Sequence, residues 1–137
     1  MMNIELTDKE FRRLLDMVYI GNWILNSTRE EDRFEDYDLL QEKLFALCAK
    51  NGMRPLVQSY MGHYFPSKAY EDGGIHEAIA DYEDAVFFDI LAEELARRDM
   101  TLENLSTDDL SELSLRIDDY LSEFERNGID NISIDMQ

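Results

Sequence analysis

The stretch "DYEDAVFFDILAEELARRD", Asp81 to Asp99, decides whether acids and apolar residues belong to a helix or to a reactive site. Phe87, Phe88, Leu91 and Leu95 recur at helical steps, and Val86 and Ile90 extend the run. That period predicts an amphipathic helix with these residues on its core face. Most of the acids then have local reasons. Asp81, Glu83 and Asp84 crowd the first turn and Arg97 and Arg98 close the last, the order favoured by the helix dipole. Glu93 precedes Arg97 by four positions, and Glu94 precedes Arg98 by four, the better orientation for intrahelical ion pairs. Asp89 alone has no local partner.

The helical period extends to both sides of this stretch. Thr7 and Glu10 have capping-box spacing, and Phe11, Leu14, Leu15, Val18 and Leu25 follow at helical intervals. Tyr19 and Trp23 form an i, i+4 pair beside them, and Met17, Ile20 and Ile24 widen the apolar surface. Such a helix is expected to lie centrally, covered on two sides, with Gly21 permitting close approach of another backbone. A second helix is expected from about Arg33 to Lys50, with Tyr37, Leu40, Leu44, Leu47 and Cys48 as its stripe and Asn51-Gly52 as its stop. A fourth follows Ser106 or Thr107 as cap, with Leu110, Leu113, Ile117, Tyr120, Leu121 and Phe124 inward and Gly128 at its end.

Residues 53–75 break the pattern. They hold both prolines and Gly62, Gly73 and Gly74, and read as an irregular connection with one short helical turn after Pro55. Connections of this length in compact domains are often functional. Asn3–Leu6 and Ile132–Asp135 alternate apolar with polar, as half-buried strands do. They are the candidates for a small two-stranded β-ribbon, formed by the chain termini pairing with each other or between chains. The expected fold is therefore mainly α: a single-domain bundle of about four helices over residues 1–137, with that ribbon as an addition.

Charge is the strongest compositional feature. The chain carries 31 acids and 13 bases, a net charge of −18, while 45% of its residues are hydrophobic, which suits a globular protein. Residues 71–137 hold 20 of the acids and four of the bases. Such a field disfavours direct binding to nucleic acid or to an anionic membrane and favours a basic protein surface or a cation. Acidity also serves solubility by itself. No apolar run approaches the ~20 residues that span a bilayer. The start "MMNIELTDKE" has acids where a secretory leader is basic and then apolar, and the single cysteine, Cys48, cannot form an internal disulfide. Both point to a cytoplasmic location.

The familiar catalytic motifs are missing. "EDGG" lacks the Lys-Ser/Thr of a phosphate loop, and no G-x-S-x-G elbow, calcium-loop spacing or Glu-x-x-His is present. No cofactor is implied, and a zinc site is disfavoured with two histidines and one cysteine expected in the core. Partial signals remain. Tyr60, His63, Tyr64, Phe65 and Tyr70 make an aromatic loop that suits a binding surface or a lid on the core. His63 and His76 near Glu71, Asp72 and Glu77 could serve acid–base or metal chemistry, although no spacing fixes a partner and capping or surface roles are ordinary. Asn22 interrupts an apolar stretch and, if buried, needs hydrogen-bond partners.

These features lead to one expectation and one competitor. The expectation is a non-enzymatic interaction protein whose acidic second half engages a basic protein. Asp108, Asp109, Glu112, Asp118, Asp119 and Glu123 would form the charged face and Tyr60, His63, Tyr64 and Tyr70 the anchors. The analogy with inhibitors, immunity proteins and nucleic-acid mimics rests on charge alone. The competitor is a small-molecule or metal-dependent activity within residues 53–77. Self-association through the terminal strands or the first helix is a third reading.

Overall fold

The computed structural model describes residues 1–137. It is mainly α, with four principal helices and one small antiparallel sheet. In order these are α1 (Asp8–Asn26), α2 (Glu35–Ala46), β1 (Val57–Tyr60), β2 (His63–Pro66), α3 (His76–Leu102) and α4 (Leu110–Asn127). No helix is long and apolar enough to cross a membrane. The chain divides into two compact units, residues 1–79 and 80–137. The division falls inside α3, so no loop or glycine run marks it.

In the first unit, Thr7 caps α1 by accepting the Glu10 N–H at 3.2 Å, as the capping-box spacing predicts. Leu15, Tyr19, Asn22 and Asn26 are the buried positions of α1. Leu15 and Tyr19 join Phe45, Cys48, Tyr70, Ile75 and Ile79 in one core. The Tyr70 ring stands edge-on to Tyr19 and Phe45, with centroids 5.3 and 5.0 Å away. The expectation that α1 is covered on two sides is corrected. Met17 and Ile24 are 71% and 63% exposed, and nothing lies within 4 Å of the position a Cβ on Gly21 would take. The other elements of this unit cover a single face.

The second helix is shorter than the sequence suggests and turns differently. It ends at Ala46 and tightens into a 3-10 turn at Leu47–Ala49. Phe45 and Cys48 are buried, whereas Tyr37, Leu40 and Leu47 of the expected stripe are exposed. The bulky Phe45 ring meets Tyr70 in the core and rotates the inward face away from those leucines. The stop holds as expected: Gly52 takes φ 74°, and the Met53 N–H reaches back to the Cys48 carbonyl at 3.0 Å, closing a Schellman turn.

A β-ribbon exists, but the chain ends do not form it. Asn3–Leu6 and Ile132–Asp135 lie outside any strand. The ribbon is β1 against β2, in register Val57↔Pro66 to Tyr60↔His63, within the segment expected to be irregular. Met61 and Gly62 both take positive φ, 50° and 81°, as a two-residue type I′ connection requires. Prolines flank this hairpin at Pro55 and Pro66 and obscure its alternation. Beyond it, Gly74 at φ 107° breaks the wide turn Glu71–Ile75 and redirects the chain into α3.

In the second unit, α3 and α4 form a helical hairpin. Its buried residues are Ala92, Ala96, Met100, Leu113 and Phe124, with Phe88 5.5 Å from Phe124. The stripe expected from Phe87 and Ile90 is therefore corrected: both are at least half exposed. Alanines at four-residue spacing leave room for larger side chains of the facing helix, and Leu113, Ile117 and Tyr120 pack against Ala96 and Met100. Asn104 at φ 61° closes α3, with Leu105 N–H donating to the Met100 carbonyl at 2.8 Å. The cap of α4 is Asp109, not Ser106 or Thr107; it accepts the Glu112 N–H at 3.2 Å. Arg97 binds Glu93 at 2.8 Å as expected, while Arg98 turns to Asp99 rather than Glu94.

Candidate functional site: a polar cleft and an acidic hairpin

A cleft of about 540 Å³ opens on the first unit. Helix α1 supplies Tyr19, Asn22 and Trp23 to one wall, α2 supplies Asp38, Gln41 and Glu42 to the second, and β2 adds Tyr64 and Phe65. Ser27 and Arg33, from the α1–α2 connection, complete the rim.

The base is a closed polar network. Asn22 is buried and donates through Nδ2 to Asp38 Oδ1 at 3.0 Å and Gln41 Oε1 at 3.2 Å. Asn26, fully buried, donates through Nδ2 to Asn22 Oδ1 at 2.6 Å and to the Phe34 carbonyl at 3.1 Å, and accepts the Phe34 N–H at 2.8 Å. Arg33 grips Asp38 with two nitrogens at 2.9 and 2.8 Å and gives its third to the Asn26 carbonyl. The Arg33 guanidinium, helped by Asn22, holds the Asp38 carboxyl below the usual carboxylate range despite partial burial.

Glu42 stands apart from this network. One of its oxygens, Oε1, takes both the His63 Nδ1 contact at 3.0 Å and the Tyr64 N–H at 3.1 Å, so it ties β2 to α2. Its other oxygen makes no protein hydrogen bond. On the α1 side, Tyr19 Oη shares a 2.7 Å hydrogen bond with His76 Nε2, and the His76 ring meets Trp23 edge-on at 4.9 Å. Burial and the neighbouring Glu71 charge raise the Tyr19 hydroxyl above its ordinary range, so it keeps its proton at neutral pH.

The two histidines thus attend opposite walls of the cleft without lining it. The acids expected to join them, Glu71, Asp72 and Glu77, do not assemble with them into a ligand set. No group of three or more His, Cys, Asp or Glu side chains is placed to hold a metal ion. Cys48 is fully buried in the core, and burial raises its thiol above the ordinary range.

The anchors named from the sequence separate. Tyr60 sits exposed at the hairpin tip beside Met61, His63 is exposed, and Tyr64 reaches the cleft. Tyr70 is inside the core with its hydroxyl 2.9 Å from Asp16 Oδ1, beneath Arg12, which corrects its expected place on a surface.

The acids expected on the charged face divide by role. Asp109 is spent on the helix cap, Glu112 on Arg116 at 2.8 Å, and Glu123 on Asn127 and Asn131. Asp108, Asp118 and Asp119 carry no side-chain partner and are exposed. A shallow groove of about 470 Å³ runs along this flank between Asp99, Asp119 and Glu123. Tyr120 donates its hydroxyl to Asp99, and with Arg98 and Arg116 it holds the Asp99 carboxyl below the usual range.

The sequence pointed to Asn22 but not to Asp38, Gln41 or Glu42. Their roles depend on partners 16 to 22 residues away, which local periodicity does not record. Comparison with known protein families, curated proteins and solved structures finds no match to this chain.

Proposed function

We propose that this chain is a non-enzymatic interaction protein whose acidic residues 80–137 engage a basic protein surface. One observation carries the reading. The second unit holds 17 acids and four bases, Arg97, Arg98, Arg116 and Arg126. Three of these arginines are bound to acids of the same unit, and Arg126 donates to the Ser122 carbonyl. Only Glu93, Asp99, Glu103 and Glu112 are neutralised, which leaves 13 acids without a basic partner. Unpaired charge of one sign along two helices speeds encounter with an oppositely charged partner and repels nucleic acid. The exposed Tyr60 and Met61 at the β1–β2 tip offer apolar contact area, as anchors of an interface do.

The test uses the immobilised full chain and a variant with Asp108, Asp118, Asp119 and Glu125 changed to amides. None of these side chains makes a local bond, so the fold is spared. A host lysate at about 0.05 M salt is expected to yield a basic protein that binds in fixed stoichiometry and is released at about 0.5 M. The variant should retain it at least several-fold less well. Equal retention by both proteins, or none by either, removes the proposal.

A further inference from the structure

We infer that the cleft of the first unit is a binding site for an organic cation, an alkylammonium or guanidinium group. Three observations converge on that charge. The walls present Tyr19, Trp23, Tyr64 and Phe65, and aromatic faces attract cations through their quadrupoles. Arg33, the one positive group on the rim, is held in a two-nitrogen ion pair with Asp38 and gives a third nitrogen to the Asn26 carbonyl, so its charge is already compensated and attracts an added anion weakly. Glu42 directs one oxygen to His63 and the Tyr64 amide, while its second oxygen is free to meet a positive group. The first unit itself holds 14 acids and nine bases, a net charge of −5, which raises the local concentration of any cation near this mouth.

The cleft is not an extension of the acidic hairpin, since every residue lining it lies before residue 80. Its volume of about 540 Å³ suits a compact ammonium ion or the end of a lysine or arginine side chain. Both sources share one chemistry: delocalised or alkyl-shielded positive charge set against rings, with one carboxylate oxygen.

Trp23 is the only tryptophan in the chain, so its fluorescence reports on this site directly. The full-length protein is titrated with tetramethylammonium chloride and with capped tripeptides carrying a central lysine or arginine. Ionic strength is matched with sodium chloride, and tert-butanol is the neutral control. A saturable change with half-saturation at about 1–10 mM is expected for the free ion, the range open to so small a ligand. Glu42→Gln should weaken binding about tenfold, by removing the charged acceptor. Glu31→Gln, an exposed loop acid outside the cleft, should change it less than about twofold.

Phe65→Leu on the exposed hairpin is the second variant should Glu42→Gln fail to fold, and about threefold weakening is expected. Tighter binding of the tripeptides than of the free ion identifies a partner's side chain as the ligand, and the reverse identifies a small amine. The inference is overturned if no ligand saturates below about 50 mM, if tert-butanol saturates equally, or if folded Glu42→Gln binds as the parent does. Lysate retention is read from the variant at Asp108, Asp118, Asp119 and Glu125, none of which lines the cleft, so the two proposals fail independently.

Discussion

Asn26→Ala tests whether the polar network under the cleft holds the first unit together. Asn26 is fully buried at the end of α1 and makes three close hydrogen bonds, two to the Phe34 backbone and one to Asn22 Oδ1, with a longer contact of 3.5 Å to Asp38 Oδ1. A buried group left without its partner costs about 1–3 kcal/mol, and less where water reaches it. Truncation leaves the Phe34 amide and carbonyl and Asn22 Oδ1 without these partners, and Asn22 is itself buried. The expected loss is about 3 kcal/mol. Asn26→Asp is the sharper comparison. It keeps an acceptor for the Phe34 N–H, removes both donor bonds, and sets negative oxygens beside Asn22 Oδ1 and near Asp38 Oδ1. The expected loss at pH 7 is about 4 kcal/mol.

The pH dependence of the aspartate variant separates charge from packing. The introduced carboxyl has a folded-state pKa raised above its unfolded value of about 3.9 by burial and by Asp38. Its charge penalty is therefore complete above the folded pKa. The penalty shrinks as pH falls from there toward the unfolded value, and Asn26→Ala shows no such recovery. Urea unfolding followed by Trp23 fluorescence reads this unit, because Trp23 lies one turn from Asn26 on α1. With a slope of about 1–1.5 kcal/mol/M, the alanine variant should lose about 2 M in midpoint. A loss under about 0.5 kcal/mol, or an aspartate variant whose deficit is the same at pH 7 and pH 4, would refute the structural role of the network.

Asp38 gives a related test of opposite sign. Its folded pKa is lowered by Arg33 and Asn22, so its contribution is present above the unfolded value of about 3.9 and disappears as pH falls through the folded pKa. Asp38→Asn should flatten the Trp23-monitored loss of stability below about pH 4, and an unchanged acid limb would count against the Arg33–Asp38 pair. Gly74→Ala should cost about 1–2 kcal/mol by thermal or urea unfolding, from backbone strain at φ 107° alone, because nothing lies within 4 Å of the added methyl. A neutral result would mean that the turn before α3 relaxes freely.

What was legible in the sequence was local. Thr7, Gly52 and Gly128 mark helix ends because capping is decided within one turn, and the structure uses all three. The faces were harder to read. Phe87 and Ile90 look like core by size, yet Ala92 and Ala96 are the buried positions, because small residues on one helix make room for the large side chains of the other. The hairpin at Val57–Pro66 was hidden because Met-Gly is a weaker turn signal than Asn-Gly, although both central residues adopt the required φ. The cleft itself was only half visible. Tyr64, Phe65 and Asn22 stand out by residue type, while Glu42 and Asp38 have the local pattern of ordinary solvated helix acids and gain their roles only from β2 and Asn22, which the fold brings to them.

The boundary between the two units falls in the second turn of α3. Residues 80–85 are exposed on every side, so the backbone ladder there is shielded by nothing but its own side chains. Glu77, Asp81 and Asp84 follow at four- and three-residue spacing, which sets like charges next to one another along one ridge. This short span therefore has the least reason in the long helix to stay wound. Within α3 its amides will exchange with deuterium soonest, and a protease that cuts this helix in the native protein will find its first foothold there.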